Sequence, residues 1–142
     1  MVKFTIDFKV TGEYGMNKLY AGVHWTTRKR QADFIHSLVQ STLYINKIPR
    51  TLFKNPVKVT ISYNSKLDID NHSYLSKMIV DGLKGYLIQD DTRKYLISIE
   101  QKFWSGKGIL VEVEEKILKR YVKVLTSNKE VNRWTNHRWE VW

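Results

Sequence analysis

Apolar residues recur at two different periods along this chain, and the order in which those periods alternate limits the folds open to it. Val2, Phe4, Ile6, Phe8 and Val10 alternate with Lys3, Thr5, Asp7 and Lys9, the period of a half-buried strand. Gly12 and Gly15 break that pattern, and the segment to about Trp25 reads as an irregular loop. Thr26 or Thr27 then caps a helix whose apolar stripe is Ile35, Leu38, Val39 and Leu43, and Asn46 and Pro49 stop it. Val57, Val59, Ile61 and Tyr63 return to the strand period and end near Asn64-Ser65. A second helix is predicted from about Asn71 to Lys84, with Leu75, Met78, Ile79 and Leu83 facing the core, Asp70 as its N-cap and Gly85 after its end. Tyr95 to Phe103 alternates again, and Ser105-Gly106-Lys107-Gly108 turns the chain into Ile109 to Val113, a hairpin by pattern. Ile117 to Leu125 fits either a strand or a helix. The order β-α-β-α-β-β predicts one α+β domain over residues 1–142, a mixed sheet packed with helices, with a basic, Trp-rich tail from about residue 127.

Several classes are excluded early. A hydrophobic content of 42% and an aromatic content of 13% fit a folded domain and not a disordered segment. No apolar run approaches the roughly 20 residues that span a bilayer. The alternating start cannot act as a signal-peptide core. The absence of cysteine removes disulfides, thiolate zinc sites and a cysteine nucleophile. These features predict a cytoplasmic protein with no membrane partner.

The net charge is +10, which favours a polyanionic partner through counterion release. Its distribution is uneven. Thr26 to Lys66 carries eight Lys/Arg against Asp33, and Lys116 to Trp142 carries seven against Glu130 and Glu140. Between them, Leu67 to Asp91 reverses the sign, with five Asp against Lys77 and Lys84. Asp68 and Asp70 point the same way if they end an extended strand. Asp70, Tyr74, Lys77 and Asp81 share one helix face, apart from the apolar stripe, if the helix reaches Asp70. Asp90-Asp91 follows the apolar Tyr86-Leu87-Ile88 segment and so sits at the edge of a buried element. Clustered carboxylates repel one another unless a cation lies among them, and oxygen-only ligation suits Mg²⁺ or Mn²⁺. Such an ion activates water and offsets charge on a phosphate. The plainer alternative makes Asp70 an N-cap, Asp90-Asp91 a turn, and Lys77–Asp81 a surface ion pair.

The segment LDIDNHSYLSKMIVDGLKGYLIQDD, residues 67–91, resembles the signature of the RusA-type Holliday-junction resolvases: an acidic D-x-D-N, a helix with a lysine and D-[AG]-L, then a DD pair. NKLYAGVHWTTRKRQADFIH, residues 17–36, is similar to the N-terminal region of phage-borne members, and the resemblance spans roughly Met16 to Gln101. It implies a bacterial or phage-encoded homodimer that binds four-way DNA junctions and cuts two opposed strands symmetrically with Mg²⁺ or Mn²⁺. By motif, Asp68 and Asp70 match the DxD and Asp91 the essential second acid of the DD pair. Asp90 matches the first of that pair. All four are implied as metal ligands. Lys77 matches the catalytic lysine by its distance to Asp81. The spacing from Asp70-Asn71 to Lys77 is three residues longer than is common in the family, which keeps the helix face but shifts the lysine about 4.5 Å along the axis.

Arg28, Lys29 and Arg30 at a helix start, with Lys66 beside the acidic motif, are candidate phosphate contacts, or else a solvated face. His24, His36 and His72 are packed or surface histidines on this reading. Trp134, Trp139 and Trp142, between and beyond Arg133 and Arg138, either stack on unpaired bases or cover a core edge or dimer seam. Three further functions stay open: a less selective endonuclease acting on flaps or other branched DNA, a non-enzymatic nucleic-acid-binding protein with a structural acidic island, and, ranked last because all the acids are intact, a partner-regulating protein on an inactivated resolvase scaffold.

Overall fold

The strand β2 (Val57–Tyr63) is the most deeply buried element, with Val57, Val59, Ile61 and Tyr63 all closed off from solvent. The computed structural model describes residues 1–116, so Ile117–Leu125 and the tryptophan-bearing tail lie outside the described residues. β2 pairs on one side with β4 (Ile109–Glu115), antiparallel, and on the other with β3 (Leu96–Phe103), parallel. β1 (Val2–Ile6) pairs antiparallel with β4 and closes the mixed sheet in the order β1-β4-β2-β3. Register places Phe4, Val111 and Ile61 in one row and Val59 and Val113 in the next. These side chains join Ile35, Val39 and Leu43 of α2 (Trp25–Ile45) and Leu75, Ile79 and Leu83 of α3 (Ser73–Leu83) in a single core. The intervening positions, Lys3, Thr5, Lys58, Thr60, Glu112 and Glu114, make the opposite face polar. That is the usual pattern of a sheet covered on one side.

The architecture is therefore a single α+β domain, and four local expectations are corrected. β3 and β4 do not form a hairpin. Alternation marks a strand without naming its partner, and the α3 crossover delivers β3 parallel to β2. The fully buried Val111 and Val113 put β4 in the sheet interior, while Ile97, Ile99 and Phe103 leave β3 partly exposed at the edge. Residues 104–108 cross the end of β2, where the Trp104 amide donates to the Tyr63 carbonyl at 3.0 Å and Asn64 Nδ2 donates to Gly106 O at 2.8 Å. Gly108 takes φ of 81°, which a side chain would strain.

The loop before α2 contains a 3₁₀ turn at Gly12–Tyr14 and a short helix, α1 (Met16–Ala21). The cap of α2 is His24, not Thr26 or Thr27, because its extended backbone lets Nδ1 accept the Thr26 amide at 3.2 Å. Asp70 does not cap α3, nor do Asp68 and Asp70 end a strand. β2 stops at Tyr63, and Ile69–His72 forms a 3₁₀ turn that hands over to the helix at Ser73. Burial fixes that turn. His72 stacks on Tyr63 at 4.2 Å between ring centres, and Asn71 Oδ1 accepts the Asn17 amide at 2.7 Å.

α2 and α3 run parallel. Tyr74 donates its hydroxyl to Gln31 Oε1 at 3.0 Å, and about two helical turns further on Gly82 lies against Val39 at the same offset of 43 residues. A Cβ at Gly82 would lie 2.9 Å from Val39 Cβ, so the missing side chain sets how closely the helices approach. Gly82→Ala gains about 1 kcal/mol of helix propensity but overpacks at about 1–3 kcal/mol, for a net loss of up to about 2 kcal/mol. The melting temperature of Gly82→Ala should fall by several degrees, and a rise would show that the contact is slack.

Candidate active site

A cleft of about 390 Å³ runs along α3 and separates it from the edge strand β3. Positions 73, 76, 77, 80 and 81 recur at three and four residues, so one face of α3 supplies Ser73, Ser76, Lys77, Val80 and Asp81. Leu96, Ile99 and Gln101 of β3 form the opposite wall, and Asp91 closes one end. The floor is held by a chain of hydrogen bonds. Tyr63 Oη and Ser76 Oγ are 2.6 Å apart, Ser76 donates to Gln101 Oε1 at 2.6 Å, and Ser73 donates to the Asp70 carbonyl at 2.8 Å. Since Ser76 donates to Gln101, the Tyr63 hydroxyl is the donor in their shared bond. Burial pushes the Tyr63 phenol well above its ordinary range, so it remains a neutral donor at physiological pH.

At the C-terminal end of the cleft one ammonium serves several carboxylates. Lys84 Nζ lies 3.1 Å from Asp81 Oδ1, 3.1 Å from Asp91 Oδ2 and 4.0 Å from Asp90 Oδ1. Lys77 Nζ reaches the other Asp81 oxygen at 3.7 Å and is far more exposed. Asp90 Oδ1 also accepts the Asp91 amide at 2.8 Å, which ties the pair into a tight turn. The Lys84 ammonium, followed by this hydrogen-bonded turn, holds the Asp91 carboxyl below the usual aspartate range. Burial alone lowers Lys84, but the bonds and charges of Asp81 and Asp91 outweigh it and raise the ammonium above the ordinary lysine value. Asp81 Oδ1 is closed to solvent, and its partner is the Lys84 ammonium at 3.1 Å.

The sequence-predicted residues fall into two places. Lys77 and Asp91 share the cleft, with Asp90 at its rim. Asp68 and Asp70 are exposed in and before the 3₁₀ turn that follows β2, at the opposite end of α3. Eleven residues of helix separate the two ends by about 16 Å. Tyr74 turns away from the cleft to Gln31. His72 is fully buried, with Nδ1 3.2 Å from the Ile69 carbonyl and Nε2 2.6 Å from Ser65 Oγ. Those partners suit a structural ring with its proton on Nδ1. Arg28, Lys29, Arg30 and Lys66 are all exposed, and Lys29 pairs with Asp33 at 2.8 Å. Because α2 and α3 are parallel, the Arg28–Arg30 turn lies alongside the 3₁₀ turn that carries Asp70.

Lys84 and Asp81 are the site residues that sequence reasoning underweighted. Their spacing of three was a visible signal. The meeting of Lys84 with Asp91 depends on the turn after α3, which no periodicity encodes.

A divalent metal is expected from the clustered acids of the sequence and from the resemblance, and the donor set can be tested against it. Oxygen donors and a cation already standing between Asp81 and Asp91 fit a hard ion in kind. Among the described residues no three acidic or histidine side chains converge as a ready ligand shell. No protein-family model matches the chain, and no curated protein matches it. No helix among the described residues is long and apolar enough to cross a membrane.

The lowered Asp91 carboxyl contributes stability above the ordinary aspartate range and loses it as pH falls through its depressed folded value. Asp91→Asn should therefore be less stable than wild type at neutral pH, and the two should converge in acid. Melting temperatures across the acid range check this, and a difference independent of pH would contradict it.

Proposed function

We propose that this chain is a structure-selective, metal-dependent endodeoxyribonuclease of the RusA type that resolves four-way DNA junctions by paired, symmetric cuts. The observation that carries the reading is the meeting of the motif's Lys77 and Asp91 in one cleft of a protein with net charge +10. Each residue then has a chemical task. Asp91, with Asp90 beside it, would supply the carboxylates for Mg²⁺ or Mn²⁺, with water completing the shell. The bound ion supplies an activated water and offsets charge on the scissile phosphate. Lys77, whose side chain is 70% exposed, is free to meet a phosphate oxygen as charge builds there. Asp68 and Asp70 carry the DxD part of the motif. On this reading they act on the same phosphate backbone at the N-terminal end of α3. Arg28, Lys29, Arg30 and Lys66 contact flanking phosphates and orient the DNA without reading its sequence. A symmetric homodimer matches a two-fold substrate that needs two equivalent cuts. A cytoplasmic location, in a bacterial cell or from a phage gene, follows from the same reading.

A second reading has its own support. Lys84 already neutralises the acids of the cleft, as expected of a nucleic-acid-binding protein whose acidic island is structural. Cleavage that EDTA abolishes and added Mg²⁺ restores would exclude that reading.

Asp70→Asn and Asp91→Asn should each lower junction cleavage by about 100-fold or more while junction binding is kept or strengthened, since a carboxylate that repels phosphate is gone. A synthetic junction with Mg²⁺, assayed for both binding and cutting, checks this. Wild-type cutting by Asp70→Asn would remove the DxD pair from the site.

A further inference from the structure

The side of the sheet that α2 and α3 cover is left open along β3. Register puts Leu96, Ile99, Gln101 and Phe103 beside Val57, Val59, Ile61 and Tyr63, so they stand on the core side of the sheet. Their β2 neighbours are fully buried, yet Ile99 is 46% and Phe103 55% exposed. Lone apolar side chains on a surface are ordinary, but two on the core side of one strand form a patch without its cover.

The cleft beside that patch has the character of a site for a small, flat, neutral group. Its volume of about 390 Å³ lies in the range of roughly 300–1,000 Å³ that holds a small organic molecule. Its charges balance, Lys77 and Lys84 against Asp81 and Asp91, so its interior does not favour a phosphate. Val80 and Ile99 give its facing walls apolar surface, and Gln101 adds an amide. Gln101 Oε1 accepts from Ser76 at 2.6 Å, and Nε2 donates to Ser73 Oγ at 3.4 Å. The amide is thereby oriented, and among the described residues it keeps one N–H and one oxygen lone pair uncommitted. A donor beside an acceptor matches the hydrogen-bonding edge of a nucleobase. The phosphate attached to such a base meets Lys77 at the rim, whose side chain is 70% exposed. Phe103 stands four residues beyond Ile99, about 13 Å away on an extended strand, too far for one base to touch both. Its ring packs edge-to-face with His72, 5.9 Å between centres, and the rest of its surface is open for stacking.

We infer that the core-side face of β3 binds unpaired DNA bases, one lodged in the cleft against Gln101 and Ile99 and another stacked on Phe103. The inference deepens the DNA-directed reading above and rests on it, since the bound strand is one whose bases are unstacked, as at a branch point.

The test is fluorescence anisotropy of the full-length protein in EDTA at one low salt concentration, with a labelled short oligothymidylate and an abasic strand of equal length. The pair separates base contacts from phosphate contacts. Wild type should bind the base-bearing strand about tenfold more tightly than the abasic one. Phe103→Ser and Ile99→Ser should each cut that preference severalfold without changing abasic binding, and both side chains are exposed enough for the fold to survive. Gln101→Leu should act in the same direction, with its melting temperature as the check on folding. Tyr44→Ser, which removes an exposed aromatic from α2, should keep the full preference. Equal binding of the two strands by wild type would overturn the inference and leave the metal-dependent reading standing. If Phe103→Ser then also altered self-association, the face would belong to a second copy of the chain. A tenfold base preference without metal-dependent junction cleavage would uphold the inference and overturn the nuclease. No binding of either strand would overturn both.

Discussion

The seating of α3 governs the geometry of the whole cleft. Leu75, Ile79 and Leu83 are fully buried on one side, and Gly82 lets α3 come into contact with Val39 of α2. With that side clamped, the opposite side has a fixed direction, and Ser73, Lys77 and Asp81 point toward β3. The crossover that α3 completes also makes β3 parallel to β2, so the strand wall and the helix wall of the cleft arise from one β2–α3–β3 unit. A helix turned by one residue would rotate its cleft face by about 100° and scatter these side chains.

The same unit explains why the acids stand in two groups. Asp68 and Asp70 leave the end of β2, whereas Asp90 and Asp91 lead into the start of β3. Parallel strands put those points at opposite ends of the sheet. The 3₁₀ turn at Ile69–His72 absorbs residues that a longer α3 would otherwise take up. It does so because Asn71 and His72 are buried and bonded, not because the turn itself is favourable.

Much of the fold was legible because burial writes itself as periodicity. The α2 stripe at Ile35, Val39 and Leu43, the α3 stripe and the alternation of β2 all correspond to buried positions. Strand partnership was not legible. Nothing in Ile109 to Val113 says that it lies between β1 and β2 and away from β3. Caps were misread for a related reason, since His24 takes over from the threonines through its own backbone conformation. In the cleft, the placement of Lys77 and Asp81 on the helix face away from the apolar stripe was readable from spacing. Lys84 was hidden because its partnership with Asp91 is created by the turn at Tyr86–Ile88, whose Leu87 and Ile88 are buried.

The most direct measurement is a map of cuts on a mobile four-way junction, set beside flap, Y-form and linear duplex DNA at equal salt, with Mg²⁺, Mn²⁺ or EDTA. The expected result is paired nicks at symmetric positions on two opposed strands of the junction, dependent on the metal, with far less cutting of the other forms. Junction binding without cleavage in either metal, or unpaired nicks made equally well on flaps, would contradict a junction-resolving nuclease built on this cleft.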